Sequence, residues 1–265
     1  MPIRGGGGVY LGMPYDKIDI PNLKWSVLVC LVLGAISGIL DPVRAIAADK
    51  PFIELTTEEL VPFSMLQGDE VTGISTAILR EVFRRNGFDY SIKLIPWIRA
   101  YQTALSKSDA CVFSATRTPD REALFKWVGP LVHDDWVVFA LADSAIQARS
   151  IEDLRPYRTA STPGDAEAIY MMEHGLTVEL SPTTEQLRML VSKRIDFWAT
   201  TKARGRFVAV AQGLHLRELL TLMPVDMFLA CNPQVPDTII DQLNKTLAQM
   251  AQDGATKEIL ASFGQ

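Results

Sequence analysis

The sequence is short of histidine, of cysteine and of any block of positive charge, and each shortage removes a class of chemistry. The three histidines, His133, His174 and His215, stand far apart, none at metal-ligand spacing from another. No Gly-x-Ser-x-Gly, His-Glu-x-x-His or phosphate-cradling glycine loop occurs, so the commonest signatures of hydrolases, zinc proteases and nucleotide-binding enzymes are missing. No metal or other cofactor is called for. Without a basic run or face, nothing indicates a nucleic-acid partner. Long apolar runs are equally scarce: Trp25 to Leu40, sixteen uncharged residues, is the main one, and a membrane span needs about 20.

What stands there instead is an export signal. Lys24 precedes the apolar run, and Ala45-Ile46-Ala47 after it gives a small-x-small cleavage site, the pattern of a secretory signal peptide. Residues 1–47 are read as that signal with an N-terminal extension, unless translation begins at Met13; an uncleaved anchor is the weaker reading. Cys30 lies inside the apolar run, which argues against a lipidated cysteine at a new N-terminus. Cleavage after Ala47 leaves residues 48–265 with 22 basic and 28 acidic side chains, a net charge of −6. The signal points to export into an oxidising compartment. Cys111 and Cys231 remain there, either paired as oxidising conditions allow or simply two small buried hydrophobes.

Beyond the signal, strand-like and helix-like stretches alternate. "FIELTTE" reads as a strand, and "TGISTAILREVFRRNG" puts Ile74, Ile78, Val82 and Phe83 on one helix face with Asn86-Gly87 as the stop. "YSIKLI", a helix opening at Pro96, "DACVFS" and "DWVVFAL" follow. A second series runs through "YRTAS", a helix from about Gly164 to Glu173, "TVELS", "TTEQLRMLVSK" and "IDFWATT". "VDMFLACN" is a last strand, and two amphipathic helices separated by Asp253-Gly254 end the chain. Such alternation predicts α/β sheets covered by helices. Ligands in such sheets sit beyond the carboxyl ends of the strands, and "SATRTPDRE", with two arginines and several hydroxyls, occupies such an end.

The order and spacing of "VPFSMLQGDEVTGISTAILREVFRRNG", "PWIRAYQTALSKSDACVFSATRTPDREALFKWVGP", "SIEDLRPYRTASTPGD", "LVSKRIDFWATT" and "LNKTLAQMAQDGATKEILASFG" resemble family 3 of the bacterial extracellular solute-binding proteins, the periplasmic binders of polar amino acids and related solutes. The resemblance runs from about Pro51 to the C-terminus. It implies the type II periplasmic binding fold: two lobes, each a mostly parallel sheet flanked by helices, joined by two crossover strands. Lobe one would hold 50–134 and 229–265, lobe two 135–228, with hinges near Asp134–Val137 and Val225–Leu229. The implied compartment is the periplasm, and the implied partners are a small anionic or zwitterionic solute and the permease of an ABC transporter, with the chain itself a monomer.

Residue by residue, the resemblance implies that Ser114 and Thr116 hold a ligand carboxylate. Arg121 would clamp it, since a guanidinium fork matches two carboxylate oxygens. Trp97 matches a wall position, and Arg99 is a further candidate for the cleft. In the second series Gly164 is kept but Asp165 and Ala166 replace the usual hydroxyls, so Asp165 is a cleft residue or a helix N-cap. Thr201 stands where amino-acid binders place the aspartate that holds the ligand ammonium. Glu58, Glu59 and Asp165 are candidates to replace it, and Trp198 is either a second aromatic wall or strand core. Two other readings stay open: a dehydratase-like enzyme of the same fold, with His133 at the cleft mouth, and a ligand-sensing module.

Overall fold

The computed structural model describes residues 51–264. The chain divides into residues 1–48 and 49–265, and only the second unit is described; the signal peptide, its extension and Cys30 lie outside the described residues. The alternation of the sequence becomes, in order, β1 (Phe52–Thr57), β2 (Met65–Gln67), β3 (Glu70–Thr72), α1 (Ile74–Asn86), β4 (Asp89–Leu94), α2 (Trp97–Ser106), β5 (Ala110–Thr116) and β6 (Lys126–Leu141). Then come β7 (Arg158–Ser161), α3 (Ala166–Glu173), β8 (Thr177–Leu180), α4 (Thr183–Val191), β9 (Trp198–Thr201), α5 (Lys202–Ala211), β10 (Leu216–Cys231), α6 (Asp237–Gln252) and α7 (Ala255–Ser262). Among the described residues no helix is long and apolar enough to cross a membrane.

The sheet is mixed. Its six strands lie in the order β4-β1-β5-β10-β6-β9: β4, β1 and β5 are parallel, while β10 and β6 run antiparallel to their neighbours. Strands β7 and β8 form a separate parallel pair. The 16-residue strands β6 and β10 pair along their whole length with several register shifts. The sequence shows only "DWVVFAL" and "VDMFLACN" of them, because Gly129-Pro130 and Pro224 read as breaks. An antiparallel pair absorbs such residues at irregular positions.

Helix α5 carries no sequence signal, since Gly205, Val208 and Val210 all lower helix propensity. Packing decides it. A Cβ at Gly205 would lie 2.2 Å from a ring carbon of Phe139, so only glycine lets this helix sit directly on β6.

The buried apolar residues gather in two groups. In the first, Ile78, Phe83 and Leu243 bring α1 and α6 onto one face of the sheet, against Leu55, Phe113 and Leu229. Helix α2 covers the other face through Ala100 and Ala104, against Val112 and Ala230. The second group contains Leu154, Met171 and Phe197, with Leu187, Leu190 and Trp198 beside them, under α3 and α4. Trp136, Ala166 and Val225 form a smaller cluster, and the Tyr170 and Leu222 packed on it also flank the second group. Cys111 and Cys231 face each other across the β5–β10 pair and are joined as a disulfide 120 residues apart in sequence. The bond fastens the returning C-terminal segment to the first core group.

Candidate functional site

Carboxyl ends of strands from both core groups meet at one place. Glu58 follows β1, Thr116 ends β5, Thr162 follows β7, and Thr200 and Thr201 end β9. With Trp97, Asp165, Glu167 and Arg204 they wall a cavity of about 30 Å³, room for no more than two waters.

Ser114 enters this cavity by means of a bulge. The β5–β10 register passes from Phe113–Leu229 to Ala115–Phe228, leaving Ser114 unpaired. Its φ is 58°, in the left-handed region, at a cost of about 1–2 kcal/mol for a non-glycine residue. Face alternation slips there too: Val112 and Ala115, three residues apart, belong to the same cluster. The slip re-aims the serine, whose Oγ is buried without a hydrogen-bond partner.

Three more buried atoms around the cavity, Glu167 Oε1, Thr201 Oγ1 and Arg204 Nε, are also unpartnered. Buried polar groups are normally satisfied, so four orphans on one cavity mark a place made to receive a polar guest. The remaining groups form a chain across the cleft. Thr183 donates from Oγ1 to Glu58 Oε2 at 2.7 Å, and Thr162 and Thr183 hydroxyls lie 2.7 Å apart. Gln186 donates to Thr162 Oγ1 at 3.1 Å and accepts from Trp198 Nε1 at 3.1 Å. Arg204 donates from Nη1 to Thr200 Oγ1 at 3.2 Å and from Nη2 to the Thr183 carbonyl at 2.9 Å. Its guanidinium lies over Trp198, 4.9 Å from the ring centre.

The electrostatics are acidic. Burial pushes the Glu58 carboxyl up to about 7, helped by the nearby Asp165 charge and opposed by Thr183 and Arg204. Burial likewise raises Asp165, against the pull of Arg121. Glu167 rises well above the carboxylate range through burial, with Asp165 and Glu58 adding to it and Arg204 opposing. Three carboxyls thus share one arginine on the cavity wall, Arg204, itself pulled down by burial and held up by those acids.

Arg121 is placed differently. It is 2% exposed and donates from Nη1 to the Thr116 carbonyl at 3.3 Å and from Nη2 to the Gly164 carbonyl at 2.8 Å. Its guanidinium lies 5.6 Å from the Trp97 ring centre and 5.2 Å from that of Tyr101. The same Gly164 carbonyl accepts from Trp97 Nε1 at 3.1 Å. Gly164 has a φ of 75°, and a Cβ there would come within 3.2 Å of Ile98, so this latch between the first core group and the turn before α3 requires glycine. Arg121 is not on the cavity wall.

Of the residues expected from sequence, Ser114, Thr116, Trp97, Asp165 and Thr201 line the cavity, and Gly164 and Arg121 form the latch beside it. Arg99 is exposed on α2 and away from the cavity. Asp165 occupies the N-cap position of α3 but makes no side-chain capping bond. The Thr201 hydroxyl lines the cavity without a hydrogen-bond partner. Trp198 is fully buried core that supports Arg204, and His133 is a surface residue paired with Asp226 at 2.5 Å. Sequence reasoning missed Glu167, Thr183, Gln186 and Arg204. A signal for Arg204 existed: "TTKAR" runs a strand end straight into a helix, which brings the fourth residue back over Thr200.

A match to the family model of the bacterial extracellular solute-binding proteins, family 3, covers residues 53–265. The chain belongs to that family. Solved structures similar to this family member share its type II periplasmic binding fold at low identity. A mutant of ArgBP from T. maritima superposes with a TM-score of 0.74 at 17% identity, covering 81% of this chain and 96% of that one. A histidine kinase sensor domain similar to periplasmic binding proteins gives 0.75 at 18%, covering 80% and 96%. The substrate-binding protein of an amino acid ABC transporter gives 0.70 at 15%, covering 81% and 100%. A search of curated protein sequences finds no match.

Proposed function

We propose that the protein is an exported, periplasmic solute receptor that closes two lobes over a small amino-acid-like solute and delivers it to the permease of an ABC transporter. Lobe one comprises residues 50–134 and 229–265, and lobe two 135–228. The division of the apolar core into two groups supports this, since apart from Met227, at the hinge, the buried members of each group come from one of those sets. The hinges fall where β6 and β10 cross between them: Asp134 and Val225 are register partners, and a hinge needs only a few residues that absorb backbone rotation.

The observation that carries the reading is the set of unpartnered buried atoms, Ser114 Oγ from one lobe and Glu167 Oε1, Thr201 Oγ1 and Arg204 Nε from the other, around one interlobe cavity. The acids Glu58, Asp165 and Glu167 suit a ligand ammonium, doing the work of the aspartate that Thr201 replaces. Ser114 and Thr116, with Arg121 behind them, suit the carboxylate end. Closure is favoured by the solute's higher affinity for the closed form. A thermal-shift screen of the protein against the common amino acids, polyamines and dicarboxylates tests this. An amino-acid-like solute should raise the melting temperature in the wild type and much less in Ser114→Ala. Turnover of a solute, or a shift that Ser114→Ala leaves unchanged, would overturn it.

A further inference from the structure

We propose that the solute is an amine with an apolar body, its ammonium held at Glu58 and its body lying between Ile95–Ile98 of lobe one and Leu180–Thr184 of lobe two. The inference rests on the solute-binding reading and narrows it to a chemical class.

A second cavity of about 360 Å³ adjoins the polar one and shares Glu58, Trp97, Thr162 and Thr183 with it. That volume lies within the range of small-molecule sites. Its walls are mainly apolar, from Leu94, Ile95, Pro96 and Ile98 on one side and Pro163, Leu180 and Pro182 on the other. Two of them are large hydrophobic side chains left in solvent, Ile98 at 46% and Leu180 at 50% exposure, so an apolar guest would cover surface that water now wets.

The charged residues lining this cavity are Glu58 and Glu59, both acidic. Glu58 has one carboxylate oxygen on Thr183 and no hydrogen bond to the other. Ser181, 6% exposed and also on the wall, has an unpartnered Oγ. An ammonium brings three donors and no acceptor, which complements a carboxylate oxygen and a hydroxyl. A carboxylate brought into the same pocket would meet two acids and no cation, since Arg121 is engaged at Gly164. The ammonium is therefore the group that the site requires, and the body selects for apolar surface.

Isothermal titration calorimetry at pH 8 with three probes of similar shape tests this: phenethylamine, L-phenylalanine and 3-phenylpropionate. Phenethylamine should bind and 3-phenylpropionate should not. Glu58→Gln should weaken phenethylamine at least tenfold, and Leu180→Lys, at an exposed position that leaves the fold intact, should weaken it several-fold through a like charge at the pocket mouth. Preference for 3-phenylpropionate, or unchanged phenethylamine affinity in both variants, would overturn the inference. Binding of L-phenylalanine, or of L-glutamine or L-arginine added as further probes, with none of phenethylamine would overturn it too, while leaving the solute-binding reading in place. Failure of every amine and amino acid to bind would overturn both.

Discussion

Two arginines stand at the meeting of the two core groups, almost equally buried and differently employed. Arg121 lies beside Trp97 and Tyr101 and donates to two backbone carbonyls. Arg204 lies over Trp198 with its Nε unpartnered, and three acids depend on its charge. One closes the structure and the other balances a cavity. The difference teaches that two guanidiniums at one junction can be spent differently, one on backbone carbonyls and one beside unsatisfied polar atoms.

The largest effect should separate these roles. Arg204→Met leaves Glu58 and Glu167 without their counter-charge and Asp165 with Arg121 alone, and should destabilise the fold by about 3–5 kcal/mol in urea unfolding at pH 8. Part of the loss should return at pH 5, where the acids take up protons. Arg121→Met should cost about 1–3 kcal/mol, through two lost carbonyl partners. Equal losses with equal pH responses would erase the distinction.

A second test uses protons. Glu58 titrates at about 7 in the folded chain against an ordinary 4.5, so the fold holds a proton there that the unfolded chain has released. The resulting stability is fully present below about pH 4.5 and is lost as pH rises to about 7. Its upper size is about 3 kcal/mol. Stability should therefore rise as pH falls from 8 to 5, and Glu58→Gln should flatten most of that slope. Asp165 and Glu167, raised by the same burial, would supply what slope remains. A wild-type profile already flat over this range would contradict the buried-acid description.

How far the chain could be read beforehand differs between these two regions. "SATRTPDRE" advertised Arg121, Ser114 and Thr116 because hydroxyls and arginines gathered at a strand end are visible in one dimension. Arg204 and Glu167 were hidden because each depends on a helix packing: α5 takes its place through Gly205 against Phe139, and Glu167 is buried in the first turn of α3. The strand alternation was legible, yet the length of β6 and β10 was not, since Gly129-Pro130 and Pro224 are strand breakers that only an antiparallel partner accommodates. The disulfide needed the register that sets Cys111 opposite Cys231, which spacing cannot supply.

The smallest effect concerns the bulge. Ser114→Gly removes a side chain from a left-handed backbone position and should stabilise the empty protein by up to about 1 kcal/mol, offset in part by the freer unfolded chain. The same change removes Oγ from the cavity and should weaken solute binding. Gain in stability with loss of binding would tie the strain to function; loss of both would make Ser114 an ordinary structural residue.

The most direct measurement is a crystal structure of the protein with a bound solute. The account expects that solute between the lobes, with its ammonium on Glu58, Ser114 Oγ newly partnered, and Arg121 still donating to the Gly164 carbonyl. A solute lodged instead in the separate cavity lined by Arg117, Trp136, Tyr170 and Phe228, or one held by an Arg121 that has left Gly164 while Glu58 stays untouched, would contradict it.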